Sequence, residues 1–264
     1  MSSADMLMDT RLLVGRQMRH LKRGPERVVP VIITPLILVL LNGLLIGSAI
    51  VVPGDGSYKD FMMAGVFAQV AMLGMSNAQN GLKEDLRNGL VDRFQSLPIA
   101  RSAAVVARSV AELLMMFVGW LVIAGVGLLI GWRMHEGFLR GMAGIGLMLL
   151  FGYLFIWLGI LGTVSGRNPQ SSGIGSMIVM PMLFLSPAFF PIDNLPGWLQ
   201  TVCEWNPFSS VVVACRELWG NPNPVVTGAF PVEHPVLVAT LLPIALLIPV
   251  IPLAVRRYHS VVGR

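Results

Sequence analysis

The residues of this chain best suited to chemistry lie in one charged island, Gly81–Arg101, with the sequence GLKEDLRNGLVDRFQSLPIAR. Asp85, Arg87, Asp92 and Arg93 stand there at close spacing in an otherwise apolar protein. An apolar run precedes the island, Phe61–Asn80, and another follows it, Val110–Ile130. A charge at mid-membrane costs about 2.5–3.5 kcal/mol on insertion scales. The island is therefore expected in water between two spans, where a soluble partner can grip it.

Covalent chemistry finds no comparable constellation. The only lysines are Lys22, Lys59 and Lys83, and none sits in a GxxxxGK context, so the chain carries no Walker-type phosphate loop. The histidines His20, His135, His234 and His259 are scattered over four segments and do not form a metal-ligand pair. Gly74–Met75–Ser76–Asn77–Ala78 lacks the second glycine of a nucleophile elbow and falls in an apolar helix. No catalytic residue and no metal site are assigned. The central halves of the spans hold no ionisable side chain, which argues against a proton-driven carrier. Their mild polar groups Asn42, Gln69, Asn77 and Tyr153 are the candidates for touching a cargo, against the alternative of hydrogen bonds between helices. Glu112 follows Arg108 by four residues, the spacing of a helical ion pair.

The elements that position these residues are membrane helices. The 264 residues are 55% hydrophobic and 12% charged, with mean hydropathy +0.72. A soluble domain carries about 25% charged residues. A span needs about 20 apolar residues, and six stretches qualify: Val31–Val52, Phe61–Asn80, Val110–Ile130, Gly141–Ser165, Ser172–Phe190 and Val236–Val255. They lack period-2 alternation, which excludes a closed barrel and leaves helices. The first is read as an uncleaved helix despite Gly47–Ser48–Ala49 near its end, since it exceeds a signal-peptide core and further spans follow.

Fifteen of the 19 lysines and arginines fall in the N-terminal segment, the island region, the turn after the fourth span and the tail. The positive-inside rule then places both termini and the island in the cytoplasm. The net charge of +5 is read as attraction to anionic lipid, not to nucleic acid.

Two further segments are amphipathic. Asp9–Arg23 places Leu13, Val14, Met18 and Leu21 opposite Arg16, Arg19, His20 and Arg23, the pattern of a helix lying in the headgroup plane. Residues 191–235 contain Leu195–Trp205 and Phe208–Trp219, separated by Asn206–Pro207 and each too short to span. Trp198, Trp205 and Trp219 suit a membrane interface, so these pieces are expected to form a helical hairpin in the outer leaflet. Cys203 and Cys215 both lie there, as a disulfide or as two buried thiols. Glycine pairs at four-residue spacing, Gly43/Gly47, Gly127/Gly131 and Gly162/Gly166, predict close helix packing.

The island resembles the signature of ABC-2 type permeases, the membrane subunits of one class of ATP-binding-cassette exporters. That pattern runs through Asp85, Arg87, Gly89, Asp92, Phe94 and Pro98. The form GLVDRFQSLPIARSAAVVAR is especially similar to the daunorubicin-resistance type from actinobacteria, and Pro187–Gly220 is similar to the family's outer block. The pattern often has Glu where Asp85 and Asp92 stand, and the charge is kept.

The resemblance implies one all-α transmembrane domain over residues 1–264. It would comprise six transmembrane helices, an interfacial helix at 9–23, a cytoplasmic coupling-helix loop at 81–101 and an outer re-entrant hairpin and linker at 191–235. The function implied is that of a permease exporting a hydrophobic drug-like or lipid substrate across a bacterial cell membrane. A separate cytoplasmic ATPase would bind ATP and Mg²⁺, so this chain needs no cofactor and is not itself an enzyme. A second permease subunit, identical or related, would complete the pathway.

The coupling helix would present Asp85, Arg87, Asp92 and Arg93 as a polar rim. Leu90, Phe94 and Leu97 would be its apolar anchor, Gly89 its point of close approach or a turn and Pro98 its stop. An intramembrane lipid-modifying enzyme and a glycan-exporting permease are the alternatives. Substrate identity and the choice of homodimer or heterodimer are not legible in the sequence.

Overall fold

A computed structural model describes residues 25–46, 57–87, 101–166, 181–192, 195–223 and 228–262. These residues form an all-helical bundle with no strand among them. Four of the described helices are long and apolar enough to cross a membrane.

Helix α1, Pro25–Leu40, opens on a proline, which is well tolerated in a first turn. It passes into a π-helical turn, Leu41–Ile46. The widening begins where the Asn42 amide donates to the Leu38 carbonyl at 2.7 Å, so a side chain enters the main-chain ladder. The amphipathic segment Asp9–Arg23 and the end of the first expected span lie outside the described residues.

Helix α2, Tyr58–Arg87, is 30 residues long, or about 45 Å at 1.5 Å per residue. That exceeds the roughly 30 Å of hydrocarbon, so it projects beyond the bilayer core. Ser57 accepts from the Lys59 amide at its start. Its apolar residues are buried around most of the circumference from Phe61 to Leu82, which makes it the central helix. The expected boundary at Asn80 is corrected here: the helix continues unbroken through Gly81–Arg87, the first third of the island.

Helix α3, Arg101–Ile130, returns alongside α2 and ends at Gly131, whose φ of 105° is open to glycine. Helix α4, Phe138–Ser165, packs most extensively against α2. There the glycines matter: a Cβ on Gly159 would lie 2.4 Å from the Met75 carbonyl oxygen, so the two backbones meet directly. Of the glycine pairs read from the sequence, Gly127 meets Met63 and Trp132, and Gly162 faces Gln79; both pack within the chain. Gly43 meets Met62, whereas a Cβ on Gly131 would meet open space. Gly47 lies outside the described residues.

The fifth expected span, Ser172–Phe190, does not run to its predicted end. Residues 181–184 are helical, and the chain then turns over residues 185–190. The Asn206 amide donates to the Met182 carbonyl and, at 2.7 Å, to that of Leu185, and Pro187 has no N–H to continue the ladder.

The same Asn206 caps the next element. Helix α5, Gly197–Glu204, and helix α6, Pro207–Trp219, form the expected pair of short helices with their break at Asn206–Pro207. Asn206 Oδ1 accepts from the Phe208 amide at 3.0 Å, Pro207 occupies the first turn, and Gly220 closes α6 with φ 66°. A short turn of helix, α7, Phe230–Glu233, leads into α8, Pro235–Val262, which packs on α4 and α6.

Candidate coupling and transport site

The island begins on α2 and ends at the start of α3, and one arginine joins these two roots. Arg108 of α3 donates from Nη1 to Asp85 Oδ2 at 2.7 Å and from Nη2 to Glu112 Oε1 at 2.8 Å. Its side chain is 11% exposed, Asp85 29% and Glu112 16%. The predicted helical pair of Arg108 with Glu112 is therefore present, and Asp85 joins it from the neighbouring helix. The guanidinium points its Nη2 end at Gly81: a Cβ there would be 1.3 Å from Nη2. Two carboxylates, one from each helix, bind the same guanidinium.

Of the residues assigned to coupling, the structure describes two. Asp85 makes a charge-assisted bond within the chain, to Arg108, and is partly exposed. Arg87 is the last residue of α2 and is exposed. Gly89, Leu90, Asp92, Arg93, Phe94, Leu97 and Pro98 lie outside the described residues.

The four candidates for the cargo pathway do not share one environment. Asn42 is buried and bonded within its own helix. Gln69 is half-buried, with a buried Oε1 that lacks a hydrogen-bond partner. Asn77, eight residues further along α2, is exposed. Tyr153 is half-buried and packs edge-on against Trp157, with ring centroids 6.2 Å apart.

At the other end of α2 the structure holds a charge that the sequence reading placed in an outer loop. Arg216 of α6 has no exposed surface. It donates from Nε to the Phe61 carbonyl at 3.0 Å and from Nη2 to the Ala188 carbonyl at 2.9 Å. Its Cζ stands 3.6 Å from the centre of the Phe61 ring. The signal was available in the helical period, since Val212, Arg216 and Trp219 fall on one face.

Trp219 is likewise buried, contrary to the interfacial reading, and donates to the Gly141 carbonyl at 3.2 Å. Trp198 and Trp205 are 71% and 64% exposed. Cys203 and Cys215 are unpaired and buried. Burial, and secondarily Glu204, pushes the Cys203 thiol up and away from thiolate reactivity.

Comparison with known proteins bears on the whole arrangement. The profile of the family described as ABC-2 type transporter matches residues 8–218. The chain is 29% identical over 204 residues to the daunorubicin resistance ABC transporter permease protein DrrB1 of Streptomyces coeruleorubidus, covering 77% of this chain and 72% of that one. It is 24% identical over 217 residues to the probable doxorubicin resistance ABC transporter permease protein DrrC of Mycobacterium tuberculosis, covering 78% and 75%. To the probable multidrug ABC transporter permease YbhR of Escherichia coli K12 it is 22% identical over 165 residues, covering 61% and 44%.

Proposed function

Because this chain belongs to the ABC-2 type transporter family, we propose that it is the membrane permease subunit of an ATP-driven exporter, acting on a hydrophobic drug-like or lipid substrate. The match over residues 8–218 carries this reading. The relatives' names favour drug transport over the glycan-exporting and lipid-modifying alternatives.

The chain lacks a phosphate-loop lysine, so ATP and Mg²⁺ belong to a partner ATPase subunit. A second permease, identical or related, completes the pathway. Both termini and the island face the cytoplasm, and α5 lies at the outer surface with Trp198 and Trp205 in the lipid boundary.

In this reading, force from the ATPase enters at residues 88–100 and reaches the bundle through the two roots of that segment. Arg108 ties those roots together, so a push on the segment moves α2 and α3 as a pair. Asp85 acts from within the chain as a positioning group. Arg87, Asp92 and Arg93 form the polar rim, Leu90, Phe94 and Leu97 the anchor, and Gly89 and Pro98 the bends. The export route runs past α2, with Gln69, Asn77, Tyr153 and Asn42 as the polar side chains available to a cargo.

The test is co-purification of the ATPase subunit with the wild type, Phe94→Ala and Asp92→Lys, alongside membrane abundance and drug efflux. Loss of a buried aromatic anchor is expected to weaken assembly by about 2 kcal/mol or more, with insertion intact because it depends on the spans. Retention of partner and efflux at wild-type levels in both variants would remove residues 88–100 from coupling.

A further inference from the structure

Arg216 is held in a way that differs from a structural ion pair. Its recorded contacts are two main-chain carbonyls and an aromatic face, and its buried Nη1 has no hydrogen-bond partner. A guanidinium stays protonated at any ordinary pH. Among the described residues the closed structure therefore gives this dry charge neutral acceptors only, and such a charge gains most from water.

Its two acceptors come from different segments. Phe61 lies in the first turns of α2, and Ala188 in the turn at residues 185–190. The joint is tight: a Cβ on Gly65 would stand 2.5 Å from the Ala188 oxygen. Its other polar ties have the same form, a side-chain donor on a backbone oxygen. Tyr58 donates to the Phe189 carbonyl at 3.2 Å, and Asn221 to that of Asp60 at 3.1 Å. Water can replace each of these bonds one for one.

We propose that Arg216 is a wetting switch. The joint between α6, the start of α2 and the 185–190 turn is closed while the guanidinium is dry, and it parts when water reaches that charge, opening the outer side of the permease. The dry state binds the cation with two carbonyls and a ring, whereas the wet state solvates it fully. The charge narrows the gap between the two states, so that a modest push from elsewhere tips the balance. A methionine in its place would fill nearly the same volume and bury no charge; the Ala188 carbonyl would lose its donor, but the joint would no longer gain from water and would stay shut. The inference rests on the exporter reading for its role in transport, but the opening itself does not.

A native thiol beside Arg216, seated on α4, reports movement of α6 out of its place. Cys215 precedes Arg216 on α6 and is buried against the Gly144 carbonyl, 3.6 Å away. The full-length Cys203→Ala protein is expressed with its ATPase subunit, with and without Arg216→Met or Arg216→Lys, and treated in membranes with a small maleimide.

With Arg216 present, Cys215 is expected to react slowly at rest, by about 10- to 1,000-fold relative to a free thiol, as for an open state populated at 0.1–10%. Its rate should rise severalfold during ATP turnover. Arg216→Met should abolish that rise and the transport while melting no lower than its parent and keeping the ATPase bound; Arg216→Lys should retain part of both. A Cys215 that stays protected during transport by the parent, or an Arg216→Met protein that labels and transports like it, would overturn the proposal. So would an Arg216→Met protein that melts far below it, since Arg216 would then be a structural pin. Labelling in membranes without the ATPase reads the joint alone, with Arg216→Met expected to react more slowly still. Absence of any transport by the wild type would instead count against the exporter reading.

Discussion

The guanidinium of Arg108 occupies the space that a side chain on Gly81 would fill, with Nη2 1.3 Å from the position of a Cβ. A glycine on one helix thus makes the seat for an arginine on the next, and the seat aims that arginine at Asp85 and Glu112. Gly81→Ala is expected to lift the guanidinium from Asp85 without separating the helices, because the displaced group is the end of a flexible side chain. The loss should be about 1.5–3 kcal/mol, the worth of a hydrogen bond between charged groups. Arg108→Met should destabilise more, since it leaves two part-buried carboxylates together. Thermal melting in detergent reads both. Equal stability of wild type and Gly81→Ala would mean that the seat does not hold the pair.

Where α2 meets α4 the contact is backbone against side-chain-free backbone. A Cβ on Gly159 would stand 2.4 Å from the Met75 oxygen, which cannot move without shifting α2. Gly159→Ala is expected to cost about 1–3 kcal/mol, the range for an overpacked core. Gly146→Ala and Gly125→Ala meet open space and should be near neutral. Melting temperatures of the three variants in one detergent decide the point. A neutral Gly159→Ala would show that the crossing is looser than this contact distance.

How much of this was legible in the sequence depends on what fixes each feature. Helix length and apolar composition gave the all-helical class and the courses of α2, α3, α4 and α8, because burial in lipid demands long apolar runs. Asn206–Pro207 gave the hairpin break, because a side-chain cap followed by proline has local meaning.

The early end of the fifth expected stretch was not legible. It depends on the Asn206 amide reaching back to the Met182 and Leu185 carbonyls, a tertiary contact. Nor was the pairing of Asp85 with Arg108, since it joins residues 23 apart on two helices. The glycine spacing rule missed Gly159 because its partner is the Met75 backbone and not a second glycine. Trp198, Trp205 and Trp219 looked alike by residue type, and only the packing of α6 under α4 separates the last from the others.

That separation is itself testable. Trp219 is fully buried, stacks edge-on with Phe67 and Trp132 at centroid distances of 5.3 and 5.4 Å, and donates to the Gly141 carbonyl. Trp219→Ala is expected to cost about 3–5 kcal/mol, as for other large core aromatics. Trp198→Ala and Trp205→Ala should leave detergent stability within about 0.5 kcal/mol, as surface changes do. They should instead weaken membrane anchoring of α5, read as increased maleimide labelling of a cysteine placed at Thr201. Comparable melting losses in all three variants would show that α5 packs on the bundle as α6 does.

The orientation of the chain ties these sites together. Phe61 and Asp85 lie on one unbroken helix, separated by about 36 Å at 1.5 Å per residue. That is more than the hydrocarbon thickness of about 30 Å. The Arg108 clamp and the Arg216 joint must then face opposite sides of the membrane, and either one fixes the other. The basic residues concentrate in the N-terminal segment, the island and the tail, and by the positive-inside rule the clamp end is the one expected inside. Reporters fused after Arg264 and within residues 84–93 are accordingly expected to read cytoplasmic, and one within residues 193–233 external. A cytoplasmic reading from residues 193–233 would invert the bundle and place the Arg216 joint on the side of the ATPase, where it could not open the exit.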